Sequence, residues 1–455
     1  MTTSLFAHRD YRLLFTAQVA ALFGTGLTTV ALGLLAYDLA GGNAAIVLST
    51  ALTLKMVAYV TVAPIAGAYA GKLPRRQFLM ALNGIRGAIV LALPFVDAVW
   101  QIYVLITALQ IASAAYTPTY QAVLPDILPD ERDYTKALSA AQLAATMETL
   151  LSPMLAALAL SLISFHWLFV GTGLGFAVSV ALVTAAHIPN AVVGDGAIKE
   201  RLAAGVRLFA ATPRLRGLLG LNLVVAAAGS VVMVNTVNYA RDVLGGNQSG
   251  VALLLAANGL GTMLIALTLP KILDRRGERP VMLTGAAVLI TGLTAALTLS
   301  TLPTGTWHWP AALTTWATIG AGTALILTPT GRVLRRSARP EDRPALFAAQ
   351  FSLSHVAWLI TYPITGWLAT TAGFTTTWAT LATIAALGTA AAVRFWPRHD
   401  PTEITHVHEI GSVDPAILAD AIKVGPRHYQ HTHPYVIDSN HPRWHTRLSA
   451  SFADR

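Results

Sequence analysis

The feature that most restricts this chain is a succession of twelve apolar stretches, each long enough to cross a bilayer. A spanning helix needs about 20 mostly apolar residues. Such stretches lie at about residues 13–38, 44–70, 77–97, 100–123, 137–161, 165–187, 215–240, 249–271, 280–300, 308–332, 344–371 and 374–396. Only 12% of the residues are charged, where a soluble domain carries about 25%. A bilayer is therefore the expected solvent, and in it helices satisfy their own backbone groups. The predicted fold class is an all-α polytopic membrane protein with twelve transmembrane helices. The N-terminal apolar stretch is longer than a signal-peptide core and lacks a convincing cleavage site, so no cleavable signal peptide is expected. Cysteine is absent, which removes disulfides, thiolate metal sites and cysteine nucleophiles together.

The net charge of +9 comes from 31 Lys and Arg against 22 Asp and Glu. Lys55 and Arg86 fall inside spans and Arg241 at the far end of one; the other 28 lie in the N-terminus, the even-numbered loops and the C-terminal tail. That asymmetry predicts a multi-pass inner-membrane protein with both termini in the cytoplasm, and it favours basic loops over nucleic-acid binding.

The two halves of the chain echo each other. Thr117-Pro118-Thr119 recurs as Thr328-Pro329-Thr330, Pro129-Asp130-Glu131-Arg132 as Pro340-Glu341-Asp342-Arg343, and Gln142 as Gln350. Such a repeat predicts two pseudo-symmetric six-helix bundles, over residues 1–188 and 215–398. Between them, 189–214 reads as a cytoplasmic linker holding a basic amphipathic helix on the membrane surface. Residues 399–455 form a His-rich cytoplasmic tail.

A second echo sets GAYAGKLPRR (Gly67 to Arg76) against PKILDRRGER (Pro270 to Arg279). On these loops, and over about residues 8–398, the chain resembles the major facilitator superfamily, whose basic loop has an ideal form near G-x-L-x-D-R-x-G-R-R. The resemblance implies a substrate site near the midplane between rocking halves. It also implies a gating loop of Gly67, Lys72, Arg75 and Arg76, with Asp274, Arg275 and Arg279 in the second copy. Gly71 stands where the first copy's latching acid is expected, and Pro270 replaces the leading Gly of the second. YTPTYQAVLPDILPDERD and NYARDVLG resemble the drug and siderophore exporter branch. GAYAGKLP is no phosphate loop, having three residues between its glycines and no Ser or Thr after Lys72. A carrier driven by an ion gradient or by the substrate's own gradient is expected, not an enzyme, with no cofactor required.

Ionisable groups inside spans are costly and mark function. Lys55, beside Met56 in span two, needs a partner or a shifted pKa. Glu148, beside Met147 in span five, is a natural proton carrier or cation ligand; it could also pair with Lys55 or Arg86. His355 in span eleven lies opposite Met147 under the internal repeat. Arg86 is expected to serve the packing of span three. Asn83, Asn222, Asn235, Asn238, Gln142 and Gln350 read as interhelical hydrogen bonds.

The tail concentrates histidine: His406, His408, His428, His431, His433, His441 and His445. His406/His408 and His431/His433 are pairs that an extended chain presents on one side; His428 is expected to join them on a turn. Asp438, Asp414 and Glu409 could add oxygen ligands. Imidazole suits Ni, Co, Zn and Cu(II). VDPAILADAIKV reads as a short helix, the remainder as mobile until metal binds. With LTLKMVAYVTVAPIAG in span two, this tail resembles those of bacterial nickel-resistance exporters. That resemblance implies Ni²⁺, with Co²⁺ as a second substrate. Export of a divalent cation against an inside-negative potential of about 100 mV costs about 4.6 kcal/mol, so proton antiport is expected, with Glu148 and His355 shared between metal and proton. The alternatives are proton-coupled efflux of a drug, siderophore or metal-chelate, and a metal sensor signalling through the tail.

Overall fold

The computed structural model describes residues 5–40, 44–70, 73–190, 198–246, 248–401, 403–409, 422–426 and 428–436. The first bundle comprises α1 (Arg9–Ala40), α2 (Ala44–Ala70), α3 (Arg75–Ala92), α4 (Val99–Ile127), α5 (Glu131–Leu160) and α6 (His166–Ala185). After a short α7 (Ile198–Ala211) comes α8 (Pro213–Ser230), which runs through two π-helical turns and the one-turn α9 (Thr236–Asn238) as far as Val243. The second bundle is completed by α10 (Gln248–Leu273), α11 (Glu278–Thr301), α12 (His308–Arg335), α13 (Arg343–Thr371) and α14 (Gly373–Phe395). Ten of the described segments are long and apolar enough to cross a membrane; α2 and α5, at 27 and 30 residues, are equally long. Together they make the twelve spans expected, and the all-α polytopic fold is borne out.

Local chemistry explains the repeated signals. Pro118 and Pro329 sit inside α4 and α12, where a missing N–H loosens the helix at equivalent places. The Pro129-Asp130-Glu131-Arg132 turn starts α5, with Asp130 Oδ1 accepting the Asp133 N–H at 3.0 Å as an N-cap does. Glu131 and Asp133 in that first turn also suit the positive end of the helix dipole.

Both described chain ends emerge on one face, called here the basic face. On the opposite face Trp100, Trp167, Trp307 and Trp367 are exposed near helix ends, an aromatic belt at the lipid–water boundary. Exposed Leu174, Leu264, Leu267 and Leu387 suit lipid.

The bundles differ inside. The second has a large core from Leu208 to Trp396, including Trp316, Trp378 and Tyr239, and a small satellite around Leu269, Leu273, Val281 and Leu325. The first has two. One, around Tyr11, Leu14, Leu79, Tyr116 and Tyr134, lies toward the basic face. The other, around Ala31, Leu35, Val90, Ile106 and Phe169, lies toward the opposite face.

The amphipathic α7 packs one face against α13 and α2, with Leu208 and Phe209 buried. The absence of a side chain at Gly205 lets it close on α13, since a Cβ there would stand 2.3 Å from the Ala345 carbonyl oxygen. Against expectation, the tail is folded in its described part. β1 (Glu403–Glu409), β2 (Ile422–Lys423) and β3 (His428–Pro434) form an antiparallel sheet in the order β1-β3-β2. Ile422 and Lys423, expected in a helix, are strand; alternating β-branched and aromatic residues in EITHVHE and HYQHTHP favour the sheet. Residues 410–421 and 437–455 lie outside the described residues, with Asp414, Asp438, His441 and His445 among them.

Candidate functional site

A cavity of about 470 Å³ lies at mid-height of the first bundle, between its two cores. Its walls come from α1, α2, α3, α4 and α6, through Gln18, Thr25, Thr28, Lys55, Tyr59, Arg86, Gln110, Ser113, Tyr116 and Phe176 among others. Two cations line it, and no Asp or Glu does among the described residues.

Arg86 is buried, with Nη1 donating to Asn83 Oδ1 at 3.1 Å and Nη2 to Thr25 Oγ1 at 3.5 Å. Its guanidinium lies over the rings of Phe176 and Tyr116, at 4.4 and 5.2 Å. Its Nε is buried without a hydrogen-bond partner. Neutral acceptors and ring faces hold this cation, and no carboxylate neutralises it among the described ion pairs. Asn83 is itself fixed by Ser179 Oγ at 2.8 Å.

Lys55 has its Nζ 5.5 Å from the centroid of Tyr59. Tyr59 in turn meets His355 edge-on and Phe351, each at 4.9 Å between ring centroids, so this cluster crosses from α2 to α13. Nδ1 of His355 lies 2.6 Å from the Phe351 carbonyl oxygen and donates to it. Glu148 lies across the bundle against α1, where a Cβ on Gly26 would be 2.6 Å from its Oε1. No described ion pair joins Glu148 to Lys55. Met56 and Met147 are half-buried. Among the described residues no three His, Asp or Glu are placed to hold a metal ion.

The gating-loop residues gather at the basic face. A Cβ on Gly67 would meet the Ala348 Cβ at 2.4 Å and the Pro344 carbonyl oxygen at 3.0 Å, so glycine lets α2 close on α13. Arg75 is buried and donates to Asp126 Oδ2 at 2.6 Å, while Arg343 takes Asp126 Oδ1 at 2.6 Å. Asp126 thus joins the bundles where Gly71 leaves the loop without an acid. Asp274 pairs with Arg132 of the first bundle at 3.5 Å. Arg332 pairs with Glu131 and with Glu278 (3.0 Å), and Arg335 donates to the Pro129 carbonyl. Arg279 donates Nε to the Trp396 carbonyl at 3.0 Å. Arg76 and Arg275 are exposed; Gly71 and Lys72 lie outside the described residues. Cross-bundle ion pairs among the described residues therefore cluster at the basic face, and this conformer is closed there.

Sequence reasoning missed Asp126, Arg332, Arg343 and a further hub. Arg214 is fully buried, with Nη1 on Asp400 Oδ1 at 3.1 Å, Nε on Ser337 Oγ at 2.8 Å and Nη2 on the Tyr435 carbonyl at 2.7 Å. It ties the tail to α8 and to the end of α12. The only advance signal was an arginine at the mouth of a span.

In the tail, His406 pairs with His431, His408 with Tyr429 and Ile404 with His433. Partners across an antiparallel pair share a face and successive residues alternate. His406, His408, His431 and His433 therefore occupy one face of the sheet. His428 does not join them on a turn: it is a strand residue opposite Glu409, on the other face.

Two helical bundles, a cavity inside the first that holds two cations, and a charged latch at one face define a polytopic transporter of the two-bundle kind. The family model for the Major Facilitator Superfamily matches residues 14–237 and 218–424, and the chain belongs to that superfamily. Among solved structures it is similar to the human organic anion transporter MFSD10 (TETRAN), with a TM-score of 0.70 and 14% identity over 84% of this chain and 99% of that one. It is similar also to a bacterial homologue of the iron transporter ferroportin in an outward-facing state, with a TM-score of 0.70 and 15% identity over 85% and 99%. No curated protein matches in sequence.

Proposed function

We propose that this transporter is a proton-coupled exporter of an organic anion, with its basic face in the cytoplasm of a cell whose inner membrane it spans. The observation that carries the reading is the pair of cations, Lys55 and Arg86, in a cavity with no acidic lining among the described residues. A divalent cation about 6 Å from each would be repelled by roughly 5 kcal/mol per charge at an effective dielectric near 20, whereas a carboxylate gains about half that from each. The volume and the Tyr59, Tyr116 and Phe176 rings suit a small organic molecule. Glu148 and His355 are then proton carriers and not metal ligands.

The second reading is export of Ni²⁺ or Co²⁺, favoured by the four histidines on one face of the tail sheet. In that reading the tail collects metal at the inner mouth. A substrate that is an anionic metal-chelate reconciles the two observations. Of the two similar structures, one is described as an organic anion transporter and the other as a homologue of an iron transporter, so the fold carries both kinds of cargo.

Inside-out vesicles with an acidic interior separate the readings. Offered Ni²⁺, Co²⁺ and Zn²⁺ in turn, then a fluorescent polycarboxylate, they should accumulate the polycarboxylate in a gradient-dependent way. Accumulation of a bare metal ion, undiminished in K55Q/R86Q, would overturn the organic-anion reading.

A further inference from the structure

The basic face holds a second cavity, of about 890 Å³, that the transport reading does not use. Its charged lining is six arginines (Arg279, Arg332, Arg335, Arg336, Arg343 and Arg398) against Glu131, Glu278 and Asp400. The three acids are already engaged. Glu131 and Glu278 hold Arg332, Glu278 also reaches Arg336, and Asp400 holds Arg336 and the buried Arg214. Asp126, outside the cavity, takes Arg343.

Arg279, Arg335 and Arg398 are left without an ion pair among those described. Arg335 has one nitrogen on a backbone carbonyl, and its Nη1 is buried without a partner; Nε of Arg343 is buried likewise. Arg335 also lies over the Tyr134 ring at 5.3 Å and Arg279 donates to a backbone carbonyl, but six guanidinium groups against three engaged carboxylates leave an excess of positive charge in one cavity that an anion would offset. Several guanidinium forks facing one space match a tetrahedral oxyanion, which accepts paired hydrogen bonds from more than one direction.

The geometry points to a phosphoryl-binding site in this cavity, filled by an anionic phospholipid headgroup or by a soluble phosphate. Both sources present the same chemistry. Basic pockets between helices at a membrane face take anionic headgroups from the adjoining leaflet, and the cavity is large enough for either. Its lining reaches Glu131 of the first bundle as well as the α10–α11 loop and the ends of α12 and α14. An anion held here therefore also braces the face where the bundles lock.

The test uses the full chain in phosphatidylcholine nanodiscs, with and without added phosphatidylglycerol, and needs no transport substrate. Native mass spectrometry reads the phosphatidylglycerol retained, and thermal shift reads inorganic phosphate in the phosphatidylcholine discs. Arg279→Gln with Arg398→Gln should cut retention or the apparent phosphate affinity at least about tenfold, a loss of about 1.4 kcal/mol or more. Arg276→Gln removes a charge from the same loop outside the cavity and should change neither. Arg398→Gln alone, at an exposed position, keeps the test open if the double variant does not fold. Phosphatidylglycerol retained by the wild type and lost in the variant identifies a headgroup; a phosphate-dependent shift lost in the variant identifies a soluble anion. Binding that is equal in all variants, or absent from the wild type for both probes, overturns the site.

Discussion

The two bundles are built on one plan and put their charge in different places. In the first, the apolar core is split at mid-height, and the gap holds Lys55, Arg86 and a ring of neutral hydrogen-bonding groups. In the second, one large core runs from Leu208 to Trp396, with Tyr239 stacked on Trp316 and set edge-on against Trp378, beside a small satellite around Leu269 and Leu325. Its arginines Arg332, Arg335 and Arg343 sit at the basic face and reach across to the first bundle. The first bundle thus holds the cavity with its two cations, while both bundles contribute to the latch, the second mainly through arginines and the first mainly through acids.

The comparison breaks most sharply at the cavity. K55Q/R86Q should lower affinity for an anionic substrate by about 100-fold or more, since two charge-assisted interactions of about 1.5–3 kcal/mol each are lost; equilibrium binding in detergent measures this. Next in size is Arg214→Gln, which leaves the buried Asp400 short of a partner. Breaking a buried pair costs about 3–5 kcal/mol, so the melting temperature should fall by several degrees. The tail should also become more open to protease, because the Tyr435 carbonyl loses its tether.

A smaller effect is expected from Gly67→Leu. The added side chain meets Ala348 and the Pro344 carbonyl, and should push the latched face apart at a cost of about 1–3 kcal/mol. The chain has no cysteine, so spin labels at Gln77→Cys and Arg276→Cys report the distance cleanly, and a lengthened distribution is expected. Smallest is Arg132→Ala. Its pair with Asp274 has side-chain exposures of 72% and 37%, and such pairs contribute about 1 kcal/mol or less. Transport should change by less than about fivefold.

Much of this was legible in the sequence, because a bilayer leaves helices few options. Span length, the asymmetry of Lys and Arg, and the repeated Thr-Pro-Thr each follow from local residues. Lys55 and Arg86 stood out as charges within apolar runs. Their meeting in one cavity did not, since that depends on how α2 and α3 pack around α1 and α4. Asp126 and Arg343, 217 positions apart, read as ordinary loop charges until the bundles bring them together. The tail sheet is different: the alternating histidines mark extended chain, but the pairing of EITHVHE with HYQHTHP depends on a connection that brings residues 403–409 beside 428–434.

The most direct test of the central claim compares two ligands that differ only in charge. A fluorescent carboxylate and its primary amide would be titrated against the wild type and Arg86→Gln in detergent, with polarisation as the readout. The account predicts that the wild type binds the carboxylate at least about tenfold more tightly than the amide, and that Arg86→Gln narrows the gap. Equal binding of the two, or a preference for Ni²⁺ over both, would contradict an anion site in the first bundle.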